Sequence, residues 1–136
     1  MKVLVDTCIW SLALRRNNPD TQSAHLAEFK ELINEARVEL IGPVRQEILS
    51  GVRSERQFEQ LKEHLAAFPD LPITIVDFEQ AARFFNLARS QGIQGSNTDF
   101  LICSVASRHN LSIFTVDQDF ERFRSILPIR LYGLRG

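Results

Sequence analysis

Short apolar runs that lack polar alternation occur at four places along the chain and are typical of strands buried on both faces. The clearest run covers residues 2–5, and less regular runs cover residues 38–41, 73–76 and 111–116. Parallel sheets are covered by helices on both faces, which requires strands of this composition. The four runs therefore predict the strands of a short parallel sheet.

The segments between these runs carry apolar residues three and four positions apart, a spacing that predicts amphipathic helices. The stripe in residues 24–36 consists of Leu26, Phe29, Leu32, Ile33 and Ala36. The predicted starts of three further helices are Ser54 with Gln57, Asp77 with Gln80, and Thr98. The helix that follows Asp77 is expected to end near Gly92, and the helix after Thr98 is expected to cover residues 99–109.

Buried strands that alternate with helices predict an α/β sandwich in which parallel strands are joined by helical crossovers. The polar or Gly/Pro-containing breaks at residues 17–19, 42–43, 69–72 and 92–97 have the lengths of ordinary loops, and none is long enough to be a linker. We therefore predict one domain that covers residues 1–136.

Composition and charge narrow the class of protein. The 136 residues are 44% hydrophobic and 24% charged, which excludes bulk disorder, and no apolar run is long enough to span a bilayer. The polar break at Asp6 and the later pair Arg15 and Arg16 argue against a secretory signal. Cys8 and Cys103 are too few for a disulfide framework, so a reducing cytoplasm is expected. The balance of 16 basic and 17 acidic residues is unlike that of a polybasic nucleic-acid binder.

Several acidic residues are placed where the strands of a parallel sheet are expected to end. Asp6 follows the first strand, Asp117 and Asp119 follow the run at 111–116, and Asp99 and Glu47 lie near the starts of helices. Each has a simpler explanation as a helix-start acid, a cap or a solvated charge. Asp6 is the hardest to explain in that way, because a carboxylate directly after a buried strand is costly without compensation.

If these acids converge at one edge of the sheet, they cannot all remain ionised without a cation. Oxygen ligands select hard ions such as Mg²⁺ or Mn²⁺, whereas zinc usually requires His or Cys ligands, and His25, His64 and His109 are scattered along the chain. A carboxylate site of this kind is suited to phosphoryl chemistry, because bound metal activates water and neutralises phosphate.

Three stretches of the chain resemble the PIN-domain ribonucleases, and among them the VapC toxins of toxin–antitoxin pairs. They are VLVDTCIW at the start, PVRQEILSGVR in the middle, and GSNTDFLICSVASRHNLSIFTVDQDF towards the end. The resemblance covers essentially the whole chain in the family's motif order. It implies a single PIN-like domain, which is an α/β/α sandwich around a short central parallel sheet of four to five strands.

The resemblance also implies a set of site residues and a reaction. The four acids of the family's catalytic, metal-binding cluster fall on Asp6, Glu47, Asp99 and Asp117. Supporting positions fall on Thr7, Thr115 and Asp119, whereas Cys8 departs from the Ser or Asn that relatives often carry. The implied reaction is hydrolysis of an RNA phosphodiester, with one or two Mg²⁺ or Mn²⁺ ions activating water.

The partners implied by the resemblance are an RNA such as transfer RNA, a second copy of the chain, and a cognate VapB-like antitoxin. The antitoxin would inhibit the toxin by placing a basic side chain in the acidic pocket, in an assembly larger than a homodimer. Trp10, Leu12 and Leu14 lie beside Arg15 and Arg16. The simpler interpretation of this stretch is a helix packed on the core, and the alternative is that it takes part in antitoxin binding.

Thirteen of the 16 basic residues are arginine, which suits forked recognition of phosphate. The candidate RNA contacts are Arg45, Arg53, Arg56 and Arg108, each of which could instead be a solvated charge. If four acids share one pocket, 13 acidic residues remain against 16 basic ones, so overall near-neutrality is compatible with a mildly basic surface.

Two other functions stay open from the sequence. Asp6 could be the nucleophile or phosphoacceptor of a phosphoaspartyl phosphatase or receiver-like domain. Against this, Cys8 occupies the place of the second Asp of such phosphatases, and no lysine follows Lys62. The acidic pocket could alternatively belong to a non-catalytic module that only binds a basic partner.

Overall fold

A parallel four-stranded sheet forms the centre of the molecule in the computed structural model, which describes residues 1–14 and 23–135. The strands are β1 (Val3–Val5), β2 (Val38–Glu39), β3 (Ser112–Phe114) and β4 (Arg130–Leu131), in the order β2-β1-β3-β4. All three strand pairs are parallel. The predicted α/β fold with a short parallel sheet of four to five strands is therefore confirmed.

Seven helices in the described part of the chain flank this sheet. They are α1 (Thr7–Leu14), α2 (Ser23–Asn34), α3 (Gly42–Leu49), α4 (Glu55–Leu65), α5 (Ile75–Ser90), α6 (Asn97–His109) and α7 (Asp119–Arg124). None of these helices combines the length and apolar character that crossing a membrane requires. The predicted break at residues 17–19, and Arg15 and Arg16, lie outside the described residues.

The two central strands are the most completely buried part of the sheet. All residues of β1 and β3 are buried, and Val3, Leu4 and Val5 pair in register with Ser112, Ile113 and Phe114. Both strands therefore end at the same edge, which places the residues that follow them side by side.

The prediction of a strand at residues 73–76 is wrong. This segment begins α5, with Thr74 as the N-terminal capping residue, and Asp77 accepts a hydrogen bond from the Thr74 N–H at 2.9 Å. Ile75 and Val76 are 76% and 55% exposed, so their apolar character does not reflect burial in a sheet. The capping box starts the helix two residues before Asp77, and the fourth strand is instead β4.

Two predicted helix boundaries also need correction. Helix α6 begins at Asn97 after the capping residue Ser96, whose hydroxyl accepts a hydrogen bond from the Asp99 N–H at 3.1 Å, so Thr98 is not the cap. Helix α2 ends at Asn34, and Ala36 has a left-handed φ of 56°, which excludes it from the predicted helical stripe. The capping prediction at Ser54 is confirmed.

Trp10 and Leu12 of α1 are each 4% exposed and belong to the hydrophobic core, whereas Leu14 is 44% exposed. Trp10 makes edge-to-face contacts with Phe29 and Phe68, at ring-centre distances of 4.9 and 5.1 Å. Packing on the core, the simpler of the two interpretations of this stretch, therefore holds for Trp10 and Leu12. Of the three apolar residues, Leu14 alone is exposed.

Candidate active site

Asp6 lies directly after β1, where its backbone N–H donates to the Phe114 carbonyl at 2.9 Å and ties the ends of β1 and β3 together. Its side chain is 6% exposed. Oδ1 accepts a hydrogen bond from the Thr7 N–H at 2.8 Å, and Oδ2 accepts one from the Thr115 hydroxyl at 2.8 Å. These donors compensate in part for burial of the carboxylate and fix its orientation.

Cys8 is a further contact of Asp6. Its thiol donates to Asp6 Oδ2 at 3.3 Å, lies 3.3 Å from Thr115 Oγ1, and accepts a hydrogen bond from the Val116 N–H at 3.4 Å. Burial raises the pKa of this thiol to about 11, with a further contribution from the charge of Asp6. Cys8 is therefore a neutral donor that links the beginning of α1 to the segment after β3.

Thr115 also connects Asp6 to Asp117. The Asp117 N–H donates to Thr115 Oγ1 at 3.0 Å while the Thr115 hydroxyl donates to Asp6. Asp117 Oδ1 accepts a hydrogen bond from the Asp119 N–H at 2.9 Å at the start of α7. The Asp119 carboxylate itself pairs with Arg122 at 3.1 Å, so the contact of Asp119 with Asp117 is through its backbone.

Glu47 lies on the exposed side of α3 and reaches the same edge of the sheet through Thr7. The Thr7 hydroxyl donates to Glu47 Oε1 at 2.6 Å, while the Thr7 N–H is bound to Asp6. One threonine thus contacts two of the four predicted acids, which brings the carboxylate of α3 towards the end of β1.

Asp99 lies in the first turn of α6 and forms a reciprocal capping box with Ser96. Its Oδ2 accepts a hydrogen bond from the Ser96 N–H at 3.0 Å, and its own N–H donates to the Ser96 hydroxyl. Ser96 is not among the predicted capping residues, although the Ser-Asn-Thr-Asp spacing at residues 96–99 is a recognisable capping signal. The capping box fixes the position of Asp99 in the site.

Three of the acids, Asp6, Asp99 and Asp117, influence one another electrostatically. Burial raises the pKa of Asp6, and the charge of Asp117 raises it further. Burial also raises the pKa of Asp99, to which the charges of Asp6 and Asp117 both contribute. Such mutual repulsion is expected when carboxylates share a site without a cation.

None of the ion pairs among the described residues includes Asp6, Glu47, Asp99 or Asp117. In the same part of the chain, no group of three or more His, Cys, Asp or Glu side chains is arranged closely enough to hold a metal ion. The carboxylates are thus neighbours whose charge no ion pair balances, rather than a closed ligand cage. Their oxygen atoms are of the chemical type that hard divalent cations prefer, and a bound cation would relieve the repulsion.

The four candidate RNA-binding arginines divide into two pairs. Arg45 donates to Asp70 at 2.9 Å and to the carbonyls of Leu65 and Phe68, and Arg108 donates to Asp77 at 2.6 Å. Arg53 and Arg56 are exposed around the start of α4, and neither forms an ion pair with another described residue. Arg45 and Arg108 are therefore engaged within the fold, whereas Arg53 and Arg56 are free to meet a phosphate.

The sequence matches the PIN domain family over residues 3–126. The VapC ribonuclease Mb1587 of Mycobacterium bovis is 30% identical over 137 aligned residues, which cover 98% of this chain and 99% of that protein. The ribonuclease VapC11 of Mycobacterium tuberculosis shows the same identity and coverage.

Solved structures of similar fold include FitAcB from Neisseria gonorrhoeae, with a TM-score of 0.76 and 21% identity over 96% of both chains. Another is VapBC2 from Rickettsia felis bound to a promoter DNA fragment. It has a TM-score of 0.76 and 18% identity, and the match covers 97% of this chain and 98% of that one. At these identities the two structures establish similarity of fold.

Proposed function

This chain belongs to the PIN-domain family, within which it falls among the VapC proteins, and from that premise we propose that it is a metal-dependent endoribonuclease. The observation that carries the proposal is that Thr115 is hydrogen-bonded to both Asp6 and Asp117, and Thr7 to both Asp6 and Glu47, at one edge of the sheet. No basic side chain among the described residues forms an ion pair with these acids. The ribonuclease names of its relatives support RNA as the substrate. The reaction would be hydrolysis of a phosphodiester bond.

One or two Mg²⁺ or Mn²⁺ ions are the cofactors that this donor set favours, because both ions prefer oxygen ligands. Asp6, Asp99 and Asp117 would hold the metal, together with Glu47. When bound, divalent metal supplies an activated water and stabilises the negative charge of the phosphate.

The contributions of the chain itself follow from the hydrogen bonds around these acids. Thr7 orients Asp6 through its N–H and Glu47 through its hydroxyl. Thr115 orients Asp6 and anchors the backbone at Asp117, and the Asp119 N–H fixes the Asp117 carboxylate. We therefore assign positioning roles to Thr7, Thr115 and Asp119, and the catalytic role to the four acids.

We further propose that the protein is the toxin of a toxin–antitoxin pair and that a cognate VapB-like antitoxin neutralises it. The names of its structural neighbours include VapBC-5 from Mycobacterium tuberculosis, a member of a toxin–antitoxin family, and a toxin–antitoxin complex from Klebsiella pneumoniae. The uncompensated acids would accept a basic side chain from the antitoxin, and the exposed Leu14 could pack against it. We also propose that the chain forms homodimers, which assemble further with the antitoxin. Its substrate would be a cytoplasmic RNA such as transfer RNA.

Arg53 and Arg56 are the arginines that we propose as RNA contacts, because both side chains are exposed and have no ion-pair partner among the described residues. Arg45 and Arg108 would have to leave their partners within the fold before they could bind phosphate. Substitution of Arg53 or Arg56 by Gln should therefore raise the KM for RNA while leaving the melting temperature unchanged.

The decisive experiment compares RNA cleavage by the purified wild type with that by Asp6→Asn and Asp99→Asn. The wild type should cleave RNA in the presence of Mg²⁺ or Mn²⁺, and cleavage should stop when chelator is added. The cleavage rate of each variant should fall by more than about 100-fold, which exceeds the loss typical of supporting residues. Glu63→Gln, which changes an exposed acid of α4, is the matched control and should cleave normally. Wild-type rates in either Asp variant would contradict the metal-nuclease proposal.

Thermal unfolding gives a second measurement that does not depend on finding the right RNA. Divalent metal should raise the melting temperature of the wild type, because binding to the folded state relieves repulsion between the acids. The shift should be smaller in Asp6→Asn and in Asp99→Asn, and unchanged in Glu63→Gln. An equal shift in all four proteins would place metal binding elsewhere.

A further inference from the structure

A small cavity lies at the loop before α6, the helix that carries Asp99, and none of the candidate acids lines it. Its volume is about 250 Å³, and it is bounded by the last turns of α5, by residues 92–95 and by Phe100 of α6. We call it the loop cavity. Its walls combine an aromatic ring, a guanidinium group and bare glycine backbone, which together are suited to a flat, partly polar ligand.

Phe85 and Arg89 form the α5 wall of the loop cavity. Arg89 Cζ lies 6.0 Å from the centre of the Phe85 ring, and that ring is held edge-on against Phe100 at 5.6 Å. No acidic residue in the described part of the chain pairs with Arg89, whose side chain is exposed. A planar cation on an aromatic ring is a surface on which unstacked nucleobases can stack.

The loop wall of the cavity is shaped by two glycines. Gly92 has a φ of 73°, the left-handed conformation that ends α5, and its N–H donates to the Arg89 carbonyl at 3.0 Å. A Cβ on Gly95 would lie 2.6 Å from Phe123 and 2.9 Å from Phe100, so a side chain there would force these rings to shift. Between them, the exposed Gln94 offers an amide donor and acceptor at the cavity.

The loop cavity is connected directly to the candidate catalytic acids. Gly95 is followed by Ser96, whose N–H donates to Asp99 Oδ2 at 3.0 Å and whose hydroxyl accepts from the Asp99 N–H. A ligand against residues 92–95 would therefore contact the same loop that positions Asp99.

We propose that the loop cavity receives one nucleobase of a single-stranded RNA next to the phosphodiester that is cut. The base would stack on the Arg89 guanidinium beside Phe85, and its polar edge would hydrogen-bond to the Gln94 amide. This inference rests on the proposed ribonuclease function and adds to it a residue-level determinant of the cleavage position. Unstacked bases are the usual targets of sequence-dependent RNA recognition, because their faces and edges are both accessible.

The test uses a single-stranded RNA and a series in which each nucleotide in turn is replaced by an abasic ribose. Binding is measured with labelled RNA in the presence of chelator, so that it does not depend on cleavage. Wild type should bind one abasic RNA of the series about tenfold more weakly than the intact RNA, the size expected for loss of one base–side chain stack. Arg89→Gln and Gln94→Ala should bind the intact RNA more weakly and should no longer distinguish it from that abasic RNA.

Arg83→Gln is the matched control, because Arg83 is an exposed arginine of the same helix that does not line the cavity. It should retain the wild-type distinction between the two RNAs. Equal weakening of intact and abasic RNA by Arg89→Gln would assign Arg89 to phosphate and overturn the proposal. A change in oligomeric state in Arg89→Gln, with base discrimination intact, would also overturn it.

Cleavage of the same RNAs separates failure of this inference from failure of the proposed function. Metal-dependent cleavage without any base discrimination would refute the loop cavity as a base site and leave the nuclease assignment standing. Base-dependent binding that is lost in Arg89→Gln, together with absence of cleavage under all metal conditions, would support the cavity and refute the nuclease.

Discussion

The ion pair between Arg108 and Asp77 is predicted to stabilise the fold, and replacing Arg108 by Met removes it while keeping much of the apolar stem. Arg108 Nε lies 2.6 Å from Asp77 Oδ1, and Asp77 is completely buried in the first turn of α5. Asp77 also accepts a hydrogen bond from the Thr74 N–H, and its backbone carbonyl accepts one from the Ser104 hydroxyl at 2.7 Å. The pair therefore joins α5 to α6, the helix that carries Asp99.

The expected loss in the free energy of unfolding is about 2 kcal/mol. Removing one partner of a fully buried ion pair costs about 3–5 kcal/mol. The loss here should be smaller because the Arg108 side chain is 39% exposed and solvent screens its charge. Asp77 also keeps its bond from Thr74. In a protein of this size the loss corresponds to a fall in melting temperature of roughly 6–10 °C.

Urea unfolding of the wild type, Arg108→Met, Asp77→Asn and the double variant measures this effect. The double variant should lose less than the sum of the single losses, because Asp77→Asn removes the charge that Arg108→Met leaves uncompensated. Arg53→Met and Arg56→Met are matched controls at exposed arginines and should change stability by less than about 0.5 kcal/mol.

The pH dependence of the same measurement has a defined sign. Burial disfavours the Asp77 carboxylate, but Arg108 and the Thr74 N–H outweigh it and hold the pKa of Asp77 below its usual value of 3.8. The stabilisation is therefore present above pH 3.8 and is lost as the pH falls through the lowered folded-state pKa. The difference in the free energy of unfolding between the wild type and Arg108→Met should therefore become smaller as the pH falls below 3.8.

A stable Arg108→Met protein with impaired RNA binding would refute this reasoning. It would show that Arg108 contacts RNA and that the ion pair contributes little to folding. We expect the opposite result, with an unchanged KM for RNA at temperatures where the variant remains folded.

Three other predictions concern Cys8, Glu28 and Gly95. Cys8→Ala should lower kcat for RNA cleavage about three- to tenfold, with KM unchanged, because it removes a hydrogen-bond donor to Asp6. Cys8→Ser, which keeps a donor, should recover most of the rate. Equal rates in the two variants would contradict a positioning role for Cys8. Arg135, with Tyr132, lowers the pKa of Glu28 from 4.5 to about 2. Glu28→Gln should therefore lower the free energy of unfolding by about 1–2 kcal/mol at pH 7, after allowance for the exposure of Arg135. In urea unfolding, this loss should become progressively smaller as the pH falls from 4.5 to 2. A cost independent of pH would exclude the charge as its source. Gly95→Ala should lower the free energy of unfolding by roughly 1–3 kcal/mol in urea unfolding, because the new Cβ would lie within 3 Å of two phenylalanine rings. Wild-type stability in this variant would show that the loop adjusts.

Local sequence signals predicted the elements that are stabilised by their own residues. The apolar runs at residues 2–5 and 111–116, the second of them less regular, indicated burial on both faces, and β1 and β3 lie within them. The capping residue Ser54 was likewise readable from its own neighbours. The run at residues 73–76 misled the prediction, because apolar composition alone does not distinguish a buried strand from the exposed first turn of a helix.

The sequence by itself determined the parallel α/β class, the positions of Asp6, Asp99 and Asp117 near element ends, and the chemistry of oxygen ligands. Only the tertiary structure decided which side chains act together. Thr7 is hydrogen-bonded to Glu47, 40 residues further along the chain, and Cys8 contacts Thr115, 107 residues further along. The tertiary structure also decided that Arg108 forms an ion pair with the buried Asp77, whereas Arg53 is exposed. Periodicity and capping depend on neighbours along the chain, whereas these contacts depend on strand order and register, which bring distant residues together.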